Sequence, residues 1–503
     1  MKNITTQNFE VAIIGAGIVG TALFSELCRN GVHCVLLEAN EDVSNGSSKA
    51  NSGIIHAGYD PLPGTLMAKY NILGNKMYPS MCKRLGIGYK QCGTLVVGGI
   101  DDRPKLMQLL ERGRHNGVPG LRILGKRTLK KIEPNLADRI NYALYAPTGG
   151  IVSPYLVCVA LAEEGIINGG TVMCDFDVNK ICYKNNIYTI CGNELEYRKS
   201  VQARYIVNCA GANADYINTL VGIPSIPCQY VKGEYILLDK SQGSFVSRPI
   251  FPLPTSVGKG VLAIPTLHGN VMFGPTATPC TATDTSVEQT GLDAIKQKVI
   301  LSVKAPNFRK TIKLFAGVRA KCGNDFVIQK SDIAKNYYYA MGIQSPGLTA
   351  GPAIALDLCQ KLLKDGVQAT PIIPKKRTPY PDVYSMTDAQ KKQLIAKNPD
   401  YGKIICRCEN ISLGEIIDAI HSPLHPTSID AIKRRIRPSM GRCQGSFCLP
   451  KLIDIISTTC KIPKESVTLC GRGSEFITGE LKENGIFAKR KKEQKMIEKL
   501  KSE

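Results

Sequence analysis

Three stretches of the chain place a short apolar run directly before a glycine-rich turn. The first, FEVAIIGAGIVGTALFSELCRNGVHCVLLEAN, begins by about Phe9 and has the pattern of strand, turn, helix and strand. The second, ARYIVNCAGANAD, and the third, YYYAMGIQSPGLTAGPAIA, each predict a strand that enters a turn, and the third continues into a helix from about Ala350. This pattern predicts an α/β fold with a Rossmann-type nucleotide-binding domain.

Other segments predict elements that lie outside the Rossmann-type domain. QYVKGEYILLD, GVLAIPTLHGNVMFGPT and IKLFAGVRA are rich in β-branched residues and predict strands of a second, mixed sheet. TPIIPKKRTPYPDVYS, rich in proline and lysine, predicts a linker. Beyond it, ISLGEIIDAIHS and FCLPKLIDIISTT predict short amphipathic helices of a small separate domain.

The amino-acid composition argues against a membrane-spanning protein and against a secreted one. Hydrophobic residues make up 43% of the 503 residues, and charged residues 21%. No stretch approaches the ~20 apolar residues that a membrane-spanning helix needs. The leader MKNITTQN is too short and polar for a signal peptide, and an odd count of 19 cysteines spread over the chain favours reduced thiols. We therefore expect a cytoplasmic protein.

The formal net charge is +22, and part of the excess lies in the terminal run AKRKKEQKMIEKLKSE. That run has no interleaved aromatic residues for base stacking, so the charge does not indicate nucleic-acid binding. Two interpretations stay open: a solvated charged tail, and an attachment to an acidic partner or, peripherally, to a membrane surface.

The first glycine turn carries a dinucleotide fingerprint. Gly15 permits a tight turn, Gly17 lets the backbone approach a pyrophosphate at the helix N-terminus, and Gly20 allows close packing of helix and strand. Glu38 ends the second strand, where a carboxylate accepts hydrogen bonds from the adenosine ribose and disfavours the 2′-phosphate of NADP. The fingerprint alone does not distinguish FAD from NAD.

Four cysteines near the C-terminus have ligand-like spacing. Cys406 and Cys408 form a Cys-x-Cys pair, and Cys443 and Cys448 a Cys-x4-Cys pair. An extended segment points both thiolates of the first pair to one side, which suits the four thiolates of a [2Fe-2S] centre. Structural zinc is the first alternative, although the tight Cys-x-Cys fits zinc ribbons poorly, and unliganded thiols are the second.

The segment directly after the fingerprint resembles part of a known superfamily. SNGSSKANSGIIHAGYD is similar to the segment that lies over the flavin in the D-amino-acid-oxidase-like superfamily of FAD-dependent oxidoreductases, and the two later glycine turns resemble that superfamily's distal FAD contacts. The resemblance implies FAD as the cofactor. It also implies a set of cofactor contacts: Ser48, Asn51, Ser52, Gly53, Gly211, Gly347, Leu348 and Thr349.

Within the superfamily, residues 9–360 resemble the glycerol-3-phosphate dehydrogenase and L-2-hydroxyglutarate dehydrogenase branch. The cysteine module, with its lead-in KNPDYGKIICRCE, resembles the bacterioferritin-associated-ferredoxin (BFD) type of [2Fe-2S] domain. Together they resemble the anaerobic glycerol-3-phosphate dehydrogenases. The resemblance implies an oxidoreductase over 1–370 (FAD part about 1–80, 145–220 and 312–370; substrate part about 81–144 and 221–311), a linker over 371–402, a [2Fe-2S] domain over 403–470 and a basic tail over 471–503.

Both candidate substrates are secondary alcohols with an anionic group, so the site needs a hydride acceptor at flavin N5, a base and a cation. Of the six histidines, His56 in IIHAGYD and His268 in PTLHGNVMFG are the candidate bases, each against the alternative of structural packing. In some relatives a histidine like His56 is bonded covalently to the flavin. Arg319, in the family's Gly-x-Arg motif, is the predicted anion clamp, and Lys232 a second cation.

The leading prediction is an FAD-dependent dehydrogenase of sn-glycerol 3-phosphate that relays electrons through the cluster to a partner subunit or quinone-linked acceptor. The first alternative is a dehydrogenase or oxidase of L-2-hydroxyglutarate or another 2-hydroxy acid, because one arginine serves carboxylate as well as phosphate. The alternative from another class is a zinc-containing scaffold or regulatory flavoprotein.

Overall fold

The computed structural model describes residues 7–194, 197–254 and 260–479. Most of the predicted basic tail, 471–503, therefore lies outside the described residues. The chain divides into two compact units, Met1–Pro379 and Tyr380–Glu503. Among the described residues, every helix is too short or too polar to cross a bilayer.

The first unit contains both strands and helices. The strands are β1 (Gln7–Ile14), β2 (Cys34–Leu37), β3 (Ile54–Ile55), β4 (Tyr89–Lys90), β5 (Thr94–Gly98), β6 (Arg122–Gly125), β7 (Tyr142–Ala146), β8 (Gly150–Val152), β9 (Thr171–Met173), β10 (Asp177–Lys184), β11 (Ile187–Glu194), β12 (Tyr197–Asn208), β13 (Gln229–Leu238), β14 (Ile250–Pro252), β15 (Leu262–Pro265), β16 (Val271–Gly274), β17 (Thr278–Pro279), β18 (Thr311–Lys321), β19 (Val327–Lys330) and β20 (Tyr337–Met341). The helices are α1 (Ile18–Arg29), α2 (Leu66–Leu85), α3 (Arg103–His115), α4 (Lys126–Ile132), α5 (Pro154–Ile167), α6 (Ala214–Thr219), α7 (Gln289–Val299) and α8 (Gly347–Lys364).

An eight-stranded sheet forms the nucleotide-binding part, with β10, β11, β12, β1, β2 and β9 in that order, β20 paired to β12, and β19 paired to β20. β1, β2, β9 and β12 run parallel, and the C-terminal half of β12 also pairs with β20. All of β2 and the C-terminal half of β1 are apolar and buried, because helices cover the centre of the sheet: α1 contacts both strands and packs against α5 and α8. Strands from three distant parts of the sequence thus build one Rossmann-type sheet, which confirms the predicted fold class.

The second, mixed sheet has nine strands in the order β17, β13, β16, β15, β14, β5, β7 and β6, with β18 paired to β13. The longest pairing is between β13 and β18, which run antiparallel from Gln229↔Lys321 to Leu238↔Thr311. β18 thus lies in this sheet, although the resemblance assigns 312–370 to the FAD part. The smaller antiparallel sheet of β3, β8 and β4 completes the unit.

Cys228 and Cys322 lie directly opposite each other just beyond the paired ends of β13 and β18, and they form a disulfide. The expectation that the cysteines are reduced is wrong for this pair. The structure places the seventeen other described cysteines outside disulfide bonds, so the expectation holds for most of them.

The connecting segment 371–402 is more than a linker. Arg377 is buried in the first unit, where its Nε lies 2.6 Å from the Glu163 carboxylate and its Nη1 donates to the Leu85 carbonyl at 3.0 Å. The segment is therefore anchored to the first unit as far as Arg377. Its later part contains a helix of the second unit.

The second unit is small and mainly helical. It contains α9 (Asp388–Lys397), β21 (Ile404–Cys406), β22 (Ile411–Ser412), α10 (Leu413–Ile420), α11 (Ile429–Ile436) and α12 (Leu449–Cys460). Apolar faces of α10, α11 and α12 form its core. Ser412 caps α10 with a capping box that includes Glu415, and Pro450 lies in the first turn of α12, so both helices begin where the sequence signals allow.

Candidate active site

The glycine turn after β1 has the geometry that its sequence predicts. Gly15 has φ +100°, and a Cβ there would lie 2.6 Å from the Cys209 carbonyl oxygen. A Cβ on Gly20 would lie 1.9 Å from the Gly15 carbonyl oxygen, and Gly17 is the N-cap of α1. A side chain at either Gly15 or Gly20 would force the helix away from the sheet. The turn thus brings bare backbone to the N-terminus of α1, where an anion binds favourably.

Glu38 follows β2 and lies against this turn. Its carboxylate accepts hydrogen bonds from the backbone N–H of Ala16 at 2.9 Å and of Asn40 at 3.0 Å. Burial raises the pKa of Glu38 above its usual value, and these hydrogen bonds oppose that rise. The position next to the glycine turn is the one from which a carboxylate reaches an adenosine ribose.

The loop 44–53 is held by its own polar side chains. Ser48 accepts a hydrogen bond at Oγ from the Ile18 N–H at 2.9 Å, so it satisfies one of the free donors at the start of α1. Asn51 donates to the Ser48 carbonyl at 2.8 Å and accepts from the Gly53 N–H at 2.8 Å. Gly53 has φ +64°, and Ser52 hydrogen-bonds the Tyr235 hydroxyl. Hydrogen bonds within the loop, to the start of α1 and to Tyr235 on β13 therefore fix this predicted cofactor loop.

The two later turns converge on the same region only in part. Thr349, in the first turn of α8, accepts a hydrogen bond at Oγ1 from the His56 N–H at 2.9 Å. Gly347 and Leu348 line the same cavity as Ser48 and Asn51. Gly211 follows β12 with φ +59°, and a Cβ on it would meet no atom within 4 Å. That open space lies beside the C-terminal end of β12, next to the end of β1.

A cavity of about 630 Å³ lies between the two large sheets of the first unit. Backbone and side chains from loop 44–56, β13, β18, α7 and the turn before α8 form its walls. Its polar side chains include Ser47, Ser48, Asn51, Ser52, His56, Asp60, Tyr235, Thr276, Thr278, Thr290, Lys298, Arg319, Gln344 and Ser345. A concave site of this size with few charged groups is typical of a cofactor and small-molecule site.

His56 lies on the cavity wall in a fixed position. Its carbonyl accepts from the side-chain amides of Asn71 at 2.7 Å and Asn75 at 3.1 Å. Its ring Nε2 lies 3.4 Å from Ser345 Oγ, and the ring centroid is 5.7 Å from that of Phe251. The imidazole is thus held at a site where it can exchange a proton with a bound molecule.

Arg319 reaches the same cavity from β18. Its Nη2 donates to the Thr276 carbonyl at 3.0 Å, which holds the guanidinium against one wall. Thr276 is itself fixed, because its Oγ1 donates to the buried Glu234 carboxylate at 2.9 Å. Arg319 and His56 are therefore two predicted catalytic residues that the structure brings to one cavity.

The structure does not bring Lys232 and His268 there. Lys232 is 1% exposed, and its ammonium donates to Asp284 at 2.9 Å and to Glu288 at 2.8 Å. The Glu288 and Asp284 carboxylates raise the pKa of Lys232, as expected of a structural ion pair. His268 lies in the turn between β15 and β16, away from the cavity walls.

Several cavity residues were missed by the sequence analysis. Ser345 contacts His56, Tyr235 stacks on Phe315 with ring centroids 4.8 Å apart, and Lys298 supplies a second cationic side chain. Ser345 belongs to the predicted glycine turn QSPGLT and was available from that motif. Lys298 is one of many lysines on an amphipathic helix, and no pattern in the sequence distinguishes it.

The four C-terminal cysteines lie together in the second unit as two pairs. Cys406 is hydrogen-bonded to Cys448, and Cys408 to Cys443. Two pairs of thiolates match the two irons of a [2Fe-2S] cluster, whereas a single zinc ion needs all four around one point. Among the described residues, no group of three or more His, Cys, Asp or Glu side chains is arranged to hold a single metal ion.

The thiol chemistry fits metal ligation. The hydrogen bond from the Cys448 thiol lowers the pKa of Cys406 to about 6, although burial opposes the shift. Iron binds the thiolate form, which the lowered pKa of Cys406 favours. Only Cys406 belongs to a strand, because β21 ends there and Cys408 lies in the following turn. The thiols meet through this turn, and the predicted extended Cys-x-Cys segment is wrong at its second cysteine.

The sequence matches two protein families. Residues 10–361 match the family DAO, described as FAD dependent oxidoreductase. Residues 404–458 match the BFD-like [2Fe-2S] binding domain. The first match covers the glycine turn, loop 44–53 and the strand of Arg319, and the second covers all four cysteines. The residues present fit both groups: bare backbone at a helix N-terminus for the dinucleotide, and paired thiols for the cluster.

Among curated proteins, the glycerol 3-phosphate dehydrogenase of Caloramator mitchellensis is 40% identical over 482 residues, which cover 94% of this chain and 99% of that protein. The glycerol 3-phosphate oxidase of Mycoplasma genitalium is 31% identical over 69% of this chain and 93% of its own length. Human mitochondrial L-2-hydroxyglutarate dehydrogenase is 31% identical over 55% of this chain and 62% of its own length.

Among solved structures, the FAD-bound, dithionite-reduced L-α-glycerophosphate oxidase of Mycoplasma pneumoniae superposes with a TM-score of 0.71 at 28% identity. It covers 75% of this chain and all of its own. The FAD complex of Bacillus halodurans glycerol-3-phosphate dehydrogenase gives a TM-score of 0.66 over 92% of both chains, and at 13% identity it supports the fold alone.

Proposed function

The chain belongs to the DAO family of FAD-dependent oxidoreductases and carries a BFD-like [2Fe-2S] domain, and on that premise we propose that it oxidises sn-glycerol 3-phosphate to dihydroxyacetone phosphate. The electrons then pass through the [2Fe-2S] cluster to a partner acceptor. The similarity to a glycerol 3-phosphate dehydrogenase along almost the whole of both chains carries the proposal, because it includes the cysteine domain.

Arg319 binds the phosphate of the substrate. A guanidinium offers two parallel N–H donors to a phosphate, and the Thr276 carbonyl holds one edge of the Arg319 fork in place. Phosphate carries more charge than carboxylate, so the second cation on the wall, Lys298, adds attraction for the same end of the substrate. The anionic end is thereby oriented and the carbinol carbon placed at a fixed distance from it.

His56 accepts the hydroxyl proton of the substrate. The His56 N–H donates to Thr349, and the His56 carbonyl accepts from Asn71 and Asn75, so the backbone that carries the ring is fixed before substrate binds. Ser345, 3.4 Å from Nε2, orients the ring. FAD supplies the two-electron acceptor for the hydride that leaves the carbinol carbon.

A 2-hydroxy acid is the second candidate substrate. One arginine binds carboxylate as well as phosphate, and human L-2-hydroxyglutarate dehydrogenase is 31% identical to part of the chain. That similarity covers 62% of the human protein and 55% of this chain. This partial similarity supports oxidation of an anionic secondary alcohol more than it supports L-2-hydroxyglutarate as the substrate.

The proposal is tested by recording an anaerobic visible spectrum of the purified protein before and after addition of sn-glycerol 3-phosphate. A parallel sample receives L-2-hydroxyglutarate. We expect the flavin and cluster bands to bleach with glycerol 3-phosphate only. Bleaching by L-2-hydroxyglutarate alone would identify the 2-hydroxy acid as the substrate in place of glycerol 3-phosphate. Bleaching by dithionite but by neither compound would refute both substrates.

A further inference from the structure

The four cluster-binding cysteines of the second unit differ in exposure. Cys406 and Cys448 are each 1% exposed, whereas Cys408 and Cys443 are only partly buried. Cys408 and Cys443 also contact each other, so the less buried pair holds one side of the cluster. Electrons tunnel most readily where a redox centre is closest to the surface. We call the surface around Cys408 and Cys443 the outer edge.

Phe447 projects into solvent next to this edge. It lies in the loop between Cys443 and Cys448 and is 79% exposed, the most exposed aromatic residue among those described. Its backbone N–H is hydrogen-bonded to the Cys443 sulfur, as is that of Gly445, so the loop holds Phe447 beside a ligand. A phenylalanine that is 79% exposed on such a short, fixed loop contributes little to the hydrophobic core, and exposed aromatic residues of this kind mark interaction sites.

The charges beside the outer edge are positive. Arg407 lies between the first two ligands and Arg442 directly precedes the third, and both are exposed. The one carboxylate in segments 404–412 and 437–450 is Glu409, which is buried and 3.1 Å from the Arg437 guanidinium. Basic side chains around a central aromatic are complementary to an acidic protein surface.

We propose that Phe447, with Arg407 and Arg442 around the Cys408–Cys443 edge, forms the docking surface for an acidic one-electron carrier protein. The inference rests on the proposed function, since it names the partner of the same electron path. Each oxidised substrate molecule yields two electrons and two protons. Two carrier molecules, each with an oxidised metal centre, dock in turn and accept one electron each, while the protons pass to solvent.

The test uses cytochrome b5 as an acidic one-electron probe and the full-length holoenzyme. Binding of oxidised cytochrome b5 is measured by optical titration, and electron transfer by stopped-flow mixing with enzyme reduced by a stoichiometric amount of dithionite. Because dithionite replaces the substrate, this result does not depend on glycerol 3-phosphate. Basic cytochrome c serves as the probe of opposite charge.

Phe447→Ser should weaken cytochrome b5 binding about tenfold and slow its reduction by a similar factor. The matched control is Tyr384→Ser, because Tyr384 is an exposed aromatic of the same unit (68%) outside the cluster-binding segments. Arg407→Glu should reduce the rate about fivefold and flatten its salt dependence, while Lys392→Glu on α9 should leave both unchanged. Iron and sulfide contents should equal those of the wild type in all four variants.

Equal binding and rates for Phe447→Ser and Tyr384→Ser would overturn the proposal, as would faster reduction of cytochrome c than of cytochrome b5. If Phe447→Ser loses its cluster, Arg407→Glu, which leaves the loop intact, decides alone. A slower reduction of the cluster by the flavin in Phe447→Ser would place the residue in the internal path and would also refute a docking role. Failure of glycerol 3-phosphate to bleach the flavin would refute the substrate and leave the docking result standing.

Discussion

Arg319 depends on a short chain of hydrogen bonds. Its guanidinium donates to the Thr276 carbonyl, and the Thr276 hydroxyl donates to Glu234, a carboxylate that is 1% exposed. The other Glu234 oxygen accepts from the Glu288 N–H at 2.7 Å, just before α7 begins. Glu234 thus positions both the arginine and the helix that carries Lys298, although it does not line the cavity itself.

Replacement of Arg319 by alanine should lower kcat/KM for glycerol 3-phosphate about 100-fold, because a charge-assisted bidentate contact is lost. FAD content should stay unchanged, since the contacts of loop 44–53 are intact. Lys313→Ala, which removes an exposed cation from the same strand, is the control. Steady-state kinetics with a dye acceptor measure both, and unaltered kinetics in Arg319→Ala would contradict the anion-clamp role.

Glu234→Gln should raise KM about tenfold with a smaller effect on kcat, because the amide holds Thr276 less firmly and the arginine loses its fixed position. Glu234→Asp, which keeps the charge, should recover part of the loss. If Glu234 only stabilised the fold, Glu234→Gln would lower the melting temperature and leave KM unchanged. Kinetics and thermal unfolding on the same samples separate the two.

Glu38 makes the stability of the FAD-free protein depend on pH. Burial raises its pKa in the folded state above the unfolded value of about 4.3, so the folded state binds the proton more tightly. The stabilisation is complete below the unfolded pKa and is lost as pH rises through the folded pKa. Glu38→Gln should therefore reduce the loss of thermal stability between pH 4 and pH 8, as measured on FAD-stripped protein. Glu111→Gln, an exposed carboxylate, should not.

The sequence determined some of these residues and not others. Gly15, Gly17 and Gly20 shape a single turn, and their local spacing was enough to predict it. Ser48 was implied by the family resemblance instead, and its hydroxyl accepts from the Ile18 N–H, 30 residues earlier in the chain. Lys232 was indistinguishable in the sequence from a substrate-binding cation, because the carboxylates that bury it come from a loop about 50 residues later. The sequence around a residue does not indicate which side chains from distant segments will contact it.

At the scale of elements, the strands of the two large sheets come from alternating stretches of the sequence. The apolar runs predicted strands of both sheets, and the run IKLFAGVRA lies in the mixed sheet as β18, as its composition predicted. The cysteine pattern predicted the ligands but not their backbone, since hydrogen bonds between β21 and β22 end at Cys406 and leave Cys408 to the turn. Register of this kind depends on tertiary pairing, which a period-two pattern does not fix.

The anchor of the connecting segment gives a prediction about stability. Arg377 and Glu163 are almost fully buried, so Arg377→Ala removes the cation that neutralises a carboxylate in the interior and should cost about 3–5 kcal/mol of the free energy of unfolding. The double variant Arg377→Met, Glu163→Leu should recover most of that loss. Arg114→Ala, which breaks an exposed pair with Glu111, should cost less than ~1 kcal/mol. Urea unfolding followed by far-UV circular dichroism compares the three, and equal losses would contradict the anchor.

At the scale of the whole molecule, the division into two units predicts that the protein can lose its [2Fe-2S] cluster and still bind FAD. Cys443→Ser removes a ligand of the [2Fe-2S] cluster and should abolish its iron, sulfide and visible dichroism. The first unit holds its own dinucleotide turn and cavity, so FAD content and anaerobic bleaching by glycerol 3-phosphate should persist. Cys470→Ser, an exposed thiol of the same unit, is the control. Zinc in place of iron in the wild-type protein would contradict the cluster.

The contact between His56 and Thr349 joins positions 293 residues apart. During synthesis the glycine turn, loop 44–53 and His56 leave the ribosome early, yet the turn that completes their cavity emerges only after some 290 further residues. At about 5–20 residues per second, the nascent chain spends many seconds with a dinucleotide turn that has no closing wall. A complete binding site for FAD therefore exists only after almost all of the first unit has been synthesised.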